Sequence, residues 1–241
     1  MPMRMPRLLP LIALLALLLV GVIIVRDTQR RHPERLPWTP LSLARPIGPF
    51  TGAKIAALTE AADQCRQLLH DSGVAFMPLP PIAGGQCGYA DGVTLRRGGT
   101  FASRFEPGAL ATACPVAAAL VVWQREIVGP AARRHFGTTV VAVEHFGSFN
   151  CRRIAGSANW SEHATADAID IAGFRLGNGR RVRVFTGWTG KADEAAFLRE
   201  VRDGACQVFS TTLSPDYNAA HADHLHLDEA RRGGFGGAVC R

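Results

Sequence analysis

The sequence contains no C-x-x-C pair, no H-E-x-x-H, no internal repeat and no low-complexity tract. The first absence removes a thiolate zinc site and a thioredoxin-type redox motif. The second removes the helical zinc-peptidase pattern. Positive charge is also scarce where a nucleic-acid binder needs it. The formal net charge is +7, but residues 1–36 hold six arginines against Asp27 and Glu34, leaving a small surplus on the rest. A nucleic-acid protein carries its basic patch on the folded domain, so no nucleic-acid partner is expected. What remains is ordinary globular material: 241 residues, 47% hydrophobic and 20% charged. That suffices for one domain with a buried core plus an appendage.

The appendage is N-terminal. Residues 8–25, LLPLIALLALLLVGVIIV, carry no charge and are bracketed by Arg7 and Arg26. About twenty apolar residues cross a bilayer as a helix, and Pro10 falls near the start, where a helix tolerates it. A cleaved signal peptide ends at a small-residue A-x-A-like site. The run here is followed instead by Arg26-Asp27-Thr28-Gln29-Arg30-Arg31. An uncleaved single-pass anchor at 8–25 is expected, with residues 1–7 as a basic cytoplasmic segment.

Two signals disagree on orientation. Arg26, Arg30, Arg31 and Arg35 follow the span, which by the positive-inside rule favours a cytoplasmic C-terminal domain. The cysteines argue the reverse. Cys65, Cys87, Cys114, Cys151, Cys206 and Cys240 are even in number and dispersed, a pattern suited to three disulfides in an oxidising compartment. Six cysteines allow fifteen pairings, and spacing does not choose among them. Weighing the cysteines more heavily, the domain is expected in the periplasm, on the outer side of a bacterial inner membrane.

Pro33, Pro37, Pro40, Pro46 and Pro49 make residues 26–50 read as an extended tether. The remainder, 51–241, reads as one domain. A helical period places an amphipathic helix over roughly 53–71, and 77–88 reads as a Pro/Gly-rich loop. A very apolar helix runs from Pro115 to Ile127, with Trp123 in the core. Strands are expected at 92–95, 138–145, 168–172, 182–186, 208–212 and 225–227. A helix over 193–203 is expected to start on an Asp193 cap and close at Gly204. Phe101 and Phe105 read as core. Helices first and strands later give an α+β domain with a small, mostly antiparallel sheet flanked by helices.

Two segments carry chemistry. In His224-Leu225-His226-Leu227-Asp228, a strand sends Leu225 and Leu227 to one face and His224, His226 and Asp228 to the other. In Ala168-Ile169-Asp170-Ile171, Asp170 likewise opposes two core isoleucines, and His163 lies in the loop that enters this strand. If the two strands are neighbours, His163, Asp170 and His226 converge. Two imidazoles and a carboxylate with one open position follow the logic of a catalytic zinc site, although such a set accepts other divalent ions too. His221 and His224 would stand beside the metal as base or transition-state stabiliser. A His-rich exposed strand face is the plainer alternative. His145 reads as a strand-end polar residue, and Trp160 as a residue bordering substrate.

The motif Ser161-Glu162-His163 … Asp170, followed by Tyr217-Asn218-Ala219-Ala220-His221-Ala222-Asp223-His224-Leu225-His226, resembles the bacterial extensin-like C-terminal domain family. Cys87-Gly88 and Cys114-Pro115 fit as well, so the likeness runs from about Cys65 to Cys240. The S-x-H-x6-D and H-x-x-H-x-H patterns are also similar to those of LAS-type zinc peptidases, a group of D-alanyl-D-alanine carboxypeptidases and murein endopeptidases. That resemblance implies a LAS/hedgehog-like fold, Zn2+ on His163, Asp170 and His226, and His221 and His224 as the flanking catalytic pair. Asp223 stands where other branches place a Glu base, so it is the second choice after His224. Arg152 is the candidate for holding substrate. The departures are Ala166 for a usual Gly and Asp167 for a frequent Asn.

These features imply a membrane-anchored, wall-facing zinc peptidase acting on amide bonds of peptidoglycan peptides. The alternative is a non-catalytic wall-binding or structural module that keeps the fold.

Overall fold

The computed structural model describes residues 8–100, 103–231 and 237–241. The basic segment 1–7 and Phe101 lie outside them. Helix α1 (Leu8–Arg31) is, among the described residues, the one helix long and apolar enough to cross a membrane, and none of its apolar window is buried. It runs six residues past Val25. Pro33 is the first proline able to stop it, and the Arg31–Asp27 pair, 2.8 Å apart, spans its last turn.

Residues 32–50 depart from the expected extended tether. After a 3-10 turn at Pro33–Arg35, the chain packs against the domain. Leu43 is fully buried, as is nearly all of Thr39. Lys54 Nζ donates to the Leu36 carbonyl at 2.7 Å, and Arg125 Nη2 donates to the Arg45 carbonyl at 2.5 Å. The prolines exclude regular helix here without preventing docking.

The expected helix over 53–71 is broken into α2 (Thr51–Ala56), a 3-10 turn (Ala57–Glu60) and α3 (Ala62–Asp71). Thr59 Oγ1 donates to the Ala56 carbonyl, a side-chain bond that competes with helix continuation. Ile55, Leu58, Cys65 and Leu69 nevertheless face the core. Strand β1 (Val74–Pro78) pairs with β4 (Val93–Gly99), and β4 pairs with β6 (Leu110–Thr112). The Pro/Gly-rich stretch between β1 and β4 holds a hairpin, β2 (Ile82–Gly84) and β3 (Cys87–Tyr89). It turns on Gly85 at φ +63°, which suits glycine.

Every residue of α4 (Cys114–Trp123) is buried. It continues past Ile127 through a wider π turn at Gln124–Val128 into α5 (Gly129–Phe136), which Gly137 ends in a left-handed conformation. Trp123 packs against Phe174 and Phe209. Its indole N–H donates to the Val201 carbonyl at 2.8 Å.

The main sheet combines β5 (Arg104–Glu106), β7 (Val140–Gly147), β8 (Ala168–Leu176), β9 (Arg181–Arg183), β10 (Thr211–Leu213), β11 (Leu225–Asp228) and β12 (Val239–Cys240). Its order is β12-β10-β11-β8-β7-β5, with β9 also on β8. The pairs are antiparallel except β5·β7 and β10·β12. Helices α6 (Val184–Gly187) and α7 (Ala192–Ala205) follow β9. The α+β expectation therefore holds, with three local corrections, the first being that the strand expected over 208–212 begins only at Thr211. The chain turns helical at Val184 because burying Val182, Val184 and Gly187 while exposing Phe185 breaks a period of two. Lys191, not Asp193, occupies the α7 cap, because Asp193 and Glu194 are drawn to Arg180.

Disulfides join Cys65 to Cys114, Cys87 to Cys151, and Cys206 to Cys240. The first ties α3 to the start of α4, and the last ties the end of α7 to β12. The middle one ties the β2–β3 hairpin to the loop after β7.

Candidate metal centre

Strands β8 and β11 are antiparallel neighbours, and their register places His226 opposite Asp170. On the other face, Ile169 and Ile171 meet Leu225 and Leu227 in the core, all fully buried. Apolar burial thus fixes which way the polar pair points, since a one-residue slip would reverse both faces. His163 arrives on a 3-10 turn (Glu162–Thr165) capped by the Ser161 side chain, which accepts from the His163 N–H. The turn closes on Ala166 at φ +61°, a conformation that favours glycine. Three bonds to the Ala166 carbonyl, from Ala113 N, Thr112 Oγ1 and Ser148 Oγ, hold it there.

The three donors converge. His163 Nε2 lies 3.2 Å from both Asp170 Oδ1 and His226 Nδ1, and His226 Nδ1 lies 3.0 Å from Asp170 Oδ1. Ligand atoms at zinc distances of about 2.0–2.1 Å stand roughly 3.3 Å apart in a tetrahedron, so the set fits a small divalent ion. The outer nitrogens are committed elsewhere. His163 Nδ1 donates to the Ser148 carbonyl at 2.6 Å, and His226 Nε2 donates to Asp228 Oδ2 at 3.0 Å. Such outer bonds set the tautomer and turn the inner nitrogen toward a metal.

Electrostatics agree. Burial alone would raise the Asp170 pKa, yet hydrogen bonds from His163 and His226 hold it well below the carboxylate range. Burial works against charge on His226, but its bonds to Asp170 and Asp228 push it up to about 9. His221 moves the opposite way, down to about 4, through burial and then the positive charge of His224 and His226. Asp167 is pushed up to about 7 by burial and the nearby carboxylates, Asp91 first among them.

The flanking residues assemble as follows. His224 stands just before β11 rather than in it, with Nε2 3.4 Å from Asp170 Oδ1 and Nδ1 2.8 Å from Asp223 Oδ1. Asp223 therefore reaches the cluster only through His224. His221 Nδ1 donates to Asn218 Oδ1 at 2.7 Å, leaving its Nε2 unprotonated when neutral. Its ring centroid is 5.1 Å from that of His224 and 5.9 Å from that of His226. Arg152 is exposed and makes no hydrogen bond to the cluster, but its charge reaches His221. Its loop is held by the Cys87–Cys151 bond and by Asn150 N donating to the His163 carbonyl.

Trp160 is not brought to the His163–Asp170–His226 cluster: it pairs with Arg153 across a single β-bridge and lies beneath its guanidinium. His145 sits against Phe105 with Nε2 near the Gly108 carbonyl, as a strand-end residue. Sequence reasoning missed the outer role of Asp228 and two exposed aromatics, Phe146 against His224 and Tyr217 against His221. Asp228 had a signal, since it lies two residues from His226 on the same strand face.

Residues 63–241 match the family model described as "Extensin-like protein C-terminus". No curated protein and no solved structure matches the chain.

Proposed function

The chain belongs to the extensin-like protein C-terminus family, and from that premise we propose that it is a membrane-anchored zinc-dependent peptidase of the bacterial cell wall. Its substrates are amide bonds in peptidoglycan peptides, cut in the manner of a D,D-endopeptidase or carboxypeptidase. The observation that carries this reading is the set of three donor atoms 3.0–3.2 Å apart, drawn from two distant stretches of chain. The LAS-type motif likeness gives the substrate class.

His163 Nε2, Asp170 and His226 Nδ1 would hold the ion. Bound there, zinc supplies Lewis acidity and makes a hydroxide available near neutral pH. His224, beside Asp170 and oriented by Asp223, accepts the proton of the attacking water and returns it to the leaving amine. His221 stays neutral at pH 7 and offers an acceptor nitrogen to the developing tetrahedral centre's proton. Arg152 draws in a peptide carboxylate. Phe146 and Tyr217 give apolar walls for the stem-peptide methyl groups.

The periplasmic side of the inner membrane is supported by the pairing of all six cysteines. The arginines after the span argue the other way. A C-terminal alkaline phosphatase fusion decides, since it is active only outside the cytoplasm.

The decisive measurement is a muropeptide digest compared by mass before and after exposure to the zinc-loaded protein. Cleavage that is lost in His163→Ala is expected. Zinc binding without cleavage of any muropeptide in a broad panel would transfer the reading to a non-catalytic wall-binding module.

A further inference from the structure

The segment that joins the span to the domain is a docked collar, and its outer face has the chemistry of a lipid contact. Helix α1 continues six residues beyond its apolar stretch, a rise of about 9 Å, which carries Arg26, Arg30 and Arg31 through the depth of a headgroup layer. The collar then folds back. Arg45 Nη1 reaches the Arg31 carbonyl at the end of α1, Leu43 is fully buried in the domain, and Lys54 holds Leu36 and Thr39 from the domain side. With so little slack, the domain begins within a few residues of the bilayer surface.

Trp38 lies in this collar, three residues after Arg35, and is 61% exposed. Tryptophan is enriched at membrane–water interfaces, where its ring is apolar and its N–H stays wet. Arg26, Arg30 and Arg35 are exposed and, among the described residues, have no acidic partner. The two acids of the segment are engaged elsewhere: Asp27 pairs with Arg31, and Glu34 is largely covered and bonded to His32.

We propose that the collar face formed by Trp38, Arg35 and the end of α1 rests on the anionic phospholipid headgroups of the leaflet from which α1 emerges. It fixes the domain against the membrane rather than letting it swing on a tether. The occupant follows from continuity with the span and from charge. Each arginine near an anionic surface multiplies occupancy about fivefold. The proposal needs α1 to span, and it stands whether or not the metal centre cleaves peptides.

The test uses the full chain in nanodiscs of phosphatidylcholine, with or without phosphatidylglycerol, containing lipids spin-labelled near the top of the acyl chain. The Trp38 signal is the difference between wild type and Trp38→Phe. Quenching of that signal should be at least about twofold stronger with phosphatidylglycerol, and high salt should return it to the phosphatidylcholine level. The triple variant R26Q/R30Q/R35Q should show the weak quenching in both lipids. A Trp38 signal unquenched in both, or quenched equally in both, would overturn the proposal, as would quenching unaffected by salt.

Discussion

His226 Nε2 lies 3.0 Å from Asp228 Oδ2, a side chain two residues further along the same strand. Asp228 is itself nearly fully buried, and its other oxygen accepts the Ala230 N–H. The carboxylate therefore cannot swing away, and it leaves Nδ1 as the nitrogen His226 turns toward His163 and Asp170, the one that would meet a metal. Removing such an outer partner typically weakens metal binding 10–100-fold. Asp228→Asn keeps an acceptor but loses the charge, so about a tenfold loss of zinc affinity is expected. Asp228→Ala should approach a hundredfold. Competition with a chromophoric chelator measures both. Unchanged affinity in Asp228→Ala would remove this carboxylate from the account.

Asp170 and Asp228, the two carboxylates that raise His226, would also set the pH dependence of metal binding. In the metal-free protein His226 titrates near 9, so at pH 7.5 its inner nitrogen carries a proton that must leave when the ion enters. Metal binding and proton release are then linked. About one proton per zinc should come from His226 at pH 7.5, on top of what the metal-bound water gives up, and the His226 share should vanish above pH 10. Affinity should rise about tenfold per pH unit between 7 and 9. Calorimetry in buffers of different ionisation enthalpy counts the protons. A count near zero at pH 7.5 would mean that the ligand set is wrong.

Much of the centre was legible because burial and chemistry alternate in register. Ile169-Asp170-Ile171 and Leu225-His226-Leu227 each show a core face and a ligand face at a period of two. That the two strands are neighbours, with His226 opposite Asp170, depends on sheet order and is not a local property. The fifteen cysteine pairings were equally closed to a one-dimensional reading. Local rules misled where tertiary contacts outweighed them. Gly204 reads as a helix stop, and α7 ends one residue later at Ala205, but the glycine is also required by packing, since a Cβ there would come within 2.3 Å of Ile127 Cγ2. The prolines of 33–49 read as an extended tether, yet Leu41, Leu43 and Ile47 among them pack on the core, and Lys54 and Arg125 bind the segment's carbonyls, which docks it.

Asp167 makes the fold pH-sensitive by a route separate from the ligands. Its carboxyl is pushed from the usual 3.8 up to about 7 by burial and neighbouring acids. A raised acid contributes its full stability below the unfolded value and loses it as pH climbs from about 4 to 7. Asp167→Asn removes that loss. It should stabilise the metal-free protein by up to about 4 kcal/mol at pH 8, or roughly 8–16 °C in melting temperature. At pH 3.5 it should do almost nothing. Calorimetric melts at the two pH values check this, and equal shifts at both would show that charge is not the cause.

His224 and Asp223 form an ordered pair, and substitution separates the base from its support. His224 Nε2 lies on the Asp170 side of the ring, while Asp223 holds Nδ1 on the other. If His224 is the proton carrier, His224→Ala retains zinc and loses about 10²–10⁴ in turnover on muropeptides. Asp223→Ala then costs less, because the imidazole keeps its place against Phe146 and Asp170. The comparison also tests the rival assignment, in which the Asp223 carboxylate is itself the base. In that case Asp223→Ala would lose at least as much as His224→Ala, and Asp223→Glu would recover activity. Single-turnover digests of one purified muropeptide, with zinc content measured on each variant, distinguish the two.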